Sequence, residues 1–184
     1  MRLYLVRHAN VAVRPDRPAS QWYLSPEGRA AAEALADEPY WANLRGLHAS
    51  PEPKAVGTAQ RIAVRRGLPM RIEPDLREVE RRTSVGKGYS ELVRRYLQDE
   101  ADHGWESRDT ALRRVRACID SIVARHQALE VGVVSHGLVL TLYLTDLLGL
   151  DATASYELWD RMEWPDVAVI DPEARKLERG FGAG

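Results

Sequence analysis

The chain has 184 residues, 45% of them hydrophobic and 29% charged, a length that suits one domain able to bury a core without staples. Against 26 Lys+Arg stand 27 Asp+Glu, a formal net charge of −1, which excludes a strongly basic nucleic-acid binder and an acidic disordered tail. One cysteine, Cys118, excludes an intramolecular disulfide framework and a Cys-rich zinc site.

Leu3 to Val6 is a short, continuous apolar run, the pattern of a strand buried on both faces. Ser25-Pro26-Glu27 opens a helix: a capping hydroxyl, then proline at the first helical position, then an acid near the positive end of the dipole. Gly46 to Ala49 predicts a second strand, a helix follows from about Lys54 to Arg66, and Pro69 to Ile72 predicts a third strand. The stretch from Glu73 to Trp105 is charged and irregular, with a helix predicted from about Ser90 to Ala101. Leu112, Val115, Ile119, Ile122 and Val123 form one apolar stripe on a long helix from Ser107 to Leu129. Cys118 falls inside that stripe and reads as core. Glu130 to Ser135 reads as a strand, Gly137 to Leu148 as an apolar helix, and Val167 to Ile170 as a last strand.

Strands alternating with helices predict an α/β fold, a mostly parallel central sheet flanked by helices in a three-layer sandwich. The prediction is one domain over 1–184, with a small insertion at about 73–106 over one edge. The most apolar stretch, Gly137 to Leu150, is interrupted by Asp146 and falls short of the ~20 residues needed to span a bilayer. The first apolar stretch is broken at Arg7, too early for a signal-peptide core. These features predict a cytoplasmic protein with neither membrane nor nucleic acid as partner. They leave its state as monomer or dimer open.

In open α/β sheets, ligands bind beyond the carboxyl ends of the strands. There the sequence puts Arg7-His8 after the first strand, Ser50-Pro51 with Lys54 after the second, and Ser135-His136-Gly137 after the strand at 130–135. Two histidines, two cations and two helix N-termini suit a phosphate. Either histidine alone reads equally well as a satisfied side chain at a strand end.

These residues carry a resemblance. Leu5-Val6-Arg7-His8-Ala9-Asn10, Leu24-Ser25-Pro26-Glu27-Gly28, Ser50-Pro51-Glu52-Pro53-Lys54 with Thr58-Ala59, Leu76-Arg77-Glu78, and Val133-Val134-Ser135-His136-Gly137 stand in the order of the motif blocks of the histidine phosphatase superfamily. The chain resembles a short, phosphatase-type member of that phosphoglycerate mutase-like group. The resemblance implies hydrolysis of a small phosphorylated metabolite through a phosphohistidine, without metal or other cofactor. His8 would be the nucleophile. Arg7, Lys54 and His136 would surround the transferred group, with Asn10 and Gly137 at the substrate, and Glu78 would be the general acid. Glu80, two residues on, is the alternative acid. Ala9 stands where the family usually has Gly, and Lys54 where it usually has Arg, a point charge in place of a planar fork.

Beyond the blocks, Arg77, Arg81, Arg82 and Lys87 form a basic cluster able to meet a second anionic group or simply to face solvent. Trp22 and Tyr23 suit stacking or packing, Trp105 is expected to close the insertion onto the domain, and Trp159 and Trp164 to finish the core. Two other functions fit less of this pattern: a phosphoglycerate-type mutase, whose lid needs longer insertions, and a non-catalytic sensor of phosphorylated ligands, which has little use for a nucleophile and an acid.

Overall fold

A computed structural model describes residues 1–81, 88–99, 104–126 and 129–183. Its centre is a six-stranded sheet of β1 (Leu3–Arg7), β2 (Leu44–Ala49), β3 (Met70–Ile72), β4 (Glu130–Ser135), β5 (Asp166–Asp171) and β6 (Lys176–Arg179), in the order β3-β2-β4-β1-β5-β6. The β2–β3, β2–β4 and β1–β4 pairings are parallel, and those of β5 with β1 and β6 are antiparallel. β5 alone therefore runs against the other five, a mixed sheet that remains mostly parallel.

Six α-helices surround the sheet among the described residues: α1 (Pro26–Asp37), α2 (Pro53–Arg66), α3 (Tyr89–Leu97), α4 (Arg108–Arg125), α5 (Gly137–Leu148) and α6 (Ala152–Asp160). All five residues of β1 are buried, and their alternation divides the core. Leu3 and Leu5 pack among Ile119, Ile122, Val139 and Leu140 of α4 and α5. Tyr4 and Val6 pack among Leu35, Ala55, Ala59 and Ile62 of α1 and α2, with Trp41 beside them. A third cluster joins α3 to α5 through Val93, Tyr96, Leu138 and Leu142, with Trp105 and Trp159 packed against it.

The predicted helix starts hold. Ser25 Oγ accepts from the Gly28 N–H at 2.9 Å, and Pro53 occupies the first turn of α2. The long helix ends at Arg125 rather than at Leu129, with His126 leaving the helical conformation as its C-cap. The helix predicted at about 90–101 ends at Leu97. β6 and α6 are elements the sequence reading did not place. β6 alternates exposed and half-buried residues, so it presents no apolar run. Among the described residues, no helix is long and apolar enough to cross a membrane.

Candidate active site

The carboxyl ends of β1, β2 and β4 meet because β4 lies between the other two. Backbone bonds knit the three ends together: the His8 N–H donates to Ser135 O at 3.0 Å and the Ser50 N–H to Val134 O at 3.0 Å. His8 and His136 thus leave adjacent parallel strands, and their rings stand edge to face with centroids 5.1 Å apart.

His8 is buried, and its Nδ1 lies 2.8 Å from the carbonyl oxygen of Ala9. A carbonyl only accepts, so Nδ1 carries the proton and Nε2 keeps its lone pair. Burial, then neighbouring His136 and the Lys54 cation, hold the His8 pKa well below the ordinary histidine value. Ala9 is fully buried, donates its N–H to Thr58 Oγ1 at 3.0 Å, and is not among the residues with positive φ, so a methyl group fits where the family usually has none. His136 is buried too, with Nε2 2.7 Å from Ser50 Oγ. Its pKa is also well depressed, by burial first and then by Lys54 and three arginines.

Arg7 donates from Nη1 to the carbonyl of Met162 at 2.7 Å and lies 3.8 Å over the ring of Trp164. Burial lowers its pKa to about 10, which leaves it charged at neutral pH. Gly137 makes room for it: a Cβ there would stand 3.1 Å from Arg7 Cζ and Nε. Of the four buried side-chain polar atoms without a partner among the described residues, two are Arg7 Nε and His136 Nδ1. Buried polar groups are normally satisfied, and a bound anion offers what these two lack.

Glu78 sits at the N-terminus of α5. Its carboxylate accepts from the N–H groups of Val79 at 2.9 Å, Val139 at 3.0 Å and Leu138 at 3.3 Å. Arg114 fixes the segment that carries it, donating to the carbonyls of Asp75 and Arg77 at 2.8 Å and of Glu78 at 3.0 Å while pairing with Glu106. Ser135 Oγ donates to Leu76 O at 2.7 Å from the side of β4. Glu80 also lines the pocket but is exposed.

Arg7, His8, Glu78 and Gly137 open onto a cavity of about 450 Å³ that also takes in Trp22, Lys54, Arg81 and Tyr89, while His136 is not part of its lining and lies against the His8 ring. Burial alone would lower the Arg81 pKa, but Tyr89, Glu78 and Glu52 outweigh it and the net shift is upward. Arg77 also reaches the pocket wall and pairs with Asp75 and Glu106. Arg82 and Lys87 lie outside the described residues.

Three expectations need correction. Asn10 does not line the cavity; it is exposed and its Oδ1 is taken by the Val11 N–H at 2.8 Å. Its contribution is its backbone, whose carbonyl accepts from Ser25 N at 3.1 Å and would stand 2.0 Å from a Cβ at position 28. That contact is the reason the second block ends in glycine. Trp164 does not finish the core; it is 50% exposed and lines the cavity beside Trp159. Tyr23 is 65% exposed and lies outside the cavity, whereas Trp22 lines it.

The sequence reading missed Glu52. It is buried, lines the cavity, and forms an ion pair with Lys54. Among the described residues, no group of three or more His, Cys, Asp or Glu side chains could hold a metal ion.

Residues 3–170 match the family model of the histidine phosphatase superfamily, branch 1. The chain belongs to that superfamily. As a histidine phosphatase it is a phosphoric monoester hydrolase. Phosphoserine phosphatase 1 of Hydrogenobacter thermophilus is 28% identical to it over 165 residues, covering 82% of this chain and 78% of that one. Among solved structures, the mycobacterial glucosyl-3-phosphoglycerate phosphatase superposes on this histidine phosphatase with a TM-score of 0.76 at 22% identity, over 100% of this chain and 99% of that one. A phosphoserine phosphatase mutant from Entamoeba histolytica in complex with phosphoserine superposes with a TM-score of 0.77 at 16% identity, over 99% and 97%. Likeness at this level of identity establishes a shared fold.

Proposed function

We propose that the protein hydrolyses small phosphomonoesters in two steps through phospho-His8, without a metal. The observation that carries this reading is the buried, neutral His8, whose proton is held on Nδ1 by Ala9 O. Its Nε2 lone pair is thereby free to attack.

In the first step Nε2 of His8 bonds to phosphorus and the ester P–O bond breaks. The leaving oxygen takes a proton from the carboxyl of Glu78. Arg7, Lys54 and His136 carry the charge on the three equatorial oxygens, and packing holds Arg7 and His136 so that these two cost little reorganisation. In the second step Glu78 takes a proton from water, which attacks the phosphohistidine and releases inorganic phosphate. Glu78 is preferred to Glu80 as the acid because three backbone donors hold its carboxylate at the head of α5. A positioned group transfers protons better than an exposed, unrestrained one.

The substrate reading is a metabolite that pairs its phosphate with a second anionic group. Arg81 supports this, as a cation in the cavity wall with Nη1 4.0 Å from Glu78 Oε2. So do the substrates in the names of the phosphoserine and glucosyl-3-phosphoglycerate phosphatases.

The test is hydrolysis of p-nitrophenyl phosphate in EDTA, wild type beside His8→Ala, with acid-quenched and alkali-quenched phosphoenzyme trapped in parallel. We expect turnover that survives the chelator, an acid-labile and alkali-stable phosphoprotein in the wild type, and neither in the mutant. Equal turnover by both proteins would sink His8 as nucleophile.

A further inference from the structure

Glu52 has no task in the mechanism above, yet it stands in its midst. Glu52 is the N-cap of α2, but its side chain does not cap that helix. It turns inward instead. One carboxylate oxygen accepts from the Glu78 N–H at 2.8 Å and lies 3.5 Å from His136 Nε2, while the other pairs with Lys54 Nζ. Lys54 also donates to Ala19 O at 2.7 Å. Both side chains are more than nine-tenths buried and both line the cavity that holds His8.

A consequence follows from these pairings. Lys54 meets an arriving phosphate already neutralised by a carboxylate, and an ammonium offers only three donors, two of which are engaged.

We propose that Glu52 is a positioning residue that holds Lys54 by standing in for a phosphate oxygen, and so weakens the site's grip on free inorganic phosphate. A substrate has binding energy from the rest of its structure with which to draw Lys54 away from Glu52, and the product does not. The carboxylate therefore favours release of phosphate after hydrolysis. This rests on the reading above that Lys54 receives the phosphoryl group.

The test is calorimetric binding of inorganic phosphate at neutral pH to wild type, Glu52→Gln, Lys54→Met and the double variant, with phosphate inhibition of p-nitrophenyl phosphate turnover measured alongside. Glutamine keeps the shape and the acceptor for the Glu78 N–H. Glu52→Leu serves as a second probe should Glu52→Gln melt early. We expect phosphate to bind the Glu52 variants about tenfold or more tightly than wild type, with the inhibition constant falling in step. In the Lys54→Met background the gain should be lost. Loss of a merely structural carboxylate would loosen binding, not tighten it. Unchanged or weaker binding in both Glu52 variants overturns the proposal, and so does a gain that persists without Lys54, which would assign the effect to repulsion alone. If neither wild type nor variants turn over p-nitrophenyl phosphate, the phosphatase reading itself falls. If wild type binds and turns over but the variants match it, only this inference falls.

Discussion

His8 and His136 meet edge to face, their ring planes 64° apart, and neither ring has a carboxylate as its closest polar partner: His8 faces a backbone carbonyl and His136 a serine hydroxyl. Protonating both would bring two cations together beside Lys54 and Arg7. Burial is the largest cause that depresses both pKa values, and the Lys54 and Arg7 cations add to it in each. A second pair repeats the arrangement away from the cavity. His48 and His126 touch through their Nε2 atoms at 3.0 Å, and Glu73 takes Nδ1 of His48 at 2.8 Å. Burial leads the downward shift in both, opposed at His48 by Glu73 and reinforced at His126 by Arg125 and Arg71.

The first prediction concerns pH and folding. Four histidines are held neutral in the fold, while in the unfolded chain they titrate near the ordinary value of about 6.5. Below that pH the unfolded state binds more protons, so stability rises with pH in this window and is lost as pH falls toward the depressed folded values. Urea unfolding at pH 7.5 and 5.5 should show a clearly lower stability at the acid pH. A flat profile would contradict the neutral assignment. Catalysis should not share this midpoint, because His8 stays neutral well below pH 6.5 in the folded protein.

Glu78→Gln removes the proposed proton donor but keeps an oxygen to accept from α5. Turnover of an alkyl phosphate, whose leaving group needs a proton, should fall about 10²–10⁴-fold. Turnover of p-nitrophenyl phosphate should fall far less in its first step, and melting should barely move. Glu80→Gln should leave the alkyl substrate's rate nearly unchanged. The reverse pattern would reassign the acid.

Gly137→Ala tests the space beside Arg7. The new methyl would press on the guanidinium at 3.1 Å, and Arg7 has little freedom because Met162 O and Trp164 hold it. A loss of kcat/KM of about tenfold or more is expected. Alanine favours a helix over glycine, which offsets part of that contact's cost, so thermal stability should fall far less than activity. Equal losses of stability and activity would show that the residue serves folding alone.

Gly28→Ala should do the opposite and damage folding. A Cβ 2.0 Å from Asn10 O forces the loop after β1 away from α1. The expected cost is about 3 kcal/mol or more, at the upper end for an overpacked site, and denaturant titration measures it.

Most of the fold could be read because the cores of its central strands are apolar and several of its helix starts are marked by local chemistry. β1 and β4 needed only Leu3 to Val6 and the run before Ser135. Ser25 and Pro53 marked helix starts by chemistry that acts within one turn. The side chains leaving the strand ends, His8 and His136, were legible for the same reason: a strand end fixes where its next residue goes. Asn10 was not, because it lies in a loop whose turn no local pattern specifies. Nothing in the local sequence sets Glu52 apart, and only the packing of residues 76–79 against β4 reveals that it turns inward. Arg114 was hidden likewise. On the sequence it is one of several charges along an amphipathic helix, while in the fold it anchors the segment that bears Glu78. β6 lacks apolar periodicity, since it is recruited to an edge by pairing with β5 rather than by burial.

The strand order has a bearing on biosynthesis. β1 lies in the middle of the sheet, with Leu3 paired to Val131 on one side and to Ile170 on the other. On the ribosome it emerges before both partners, which are translated more than a hundred residues later. Such distant pairings make for slow folding. Until β4 arrives, the apolar segment Leu3–Val6 has no lasting place to hide, and His8 has no His136 to face. Synthesis therefore separates His8 from the ring it faces, and the pocket around it can close only once β4 and β5 have both followed.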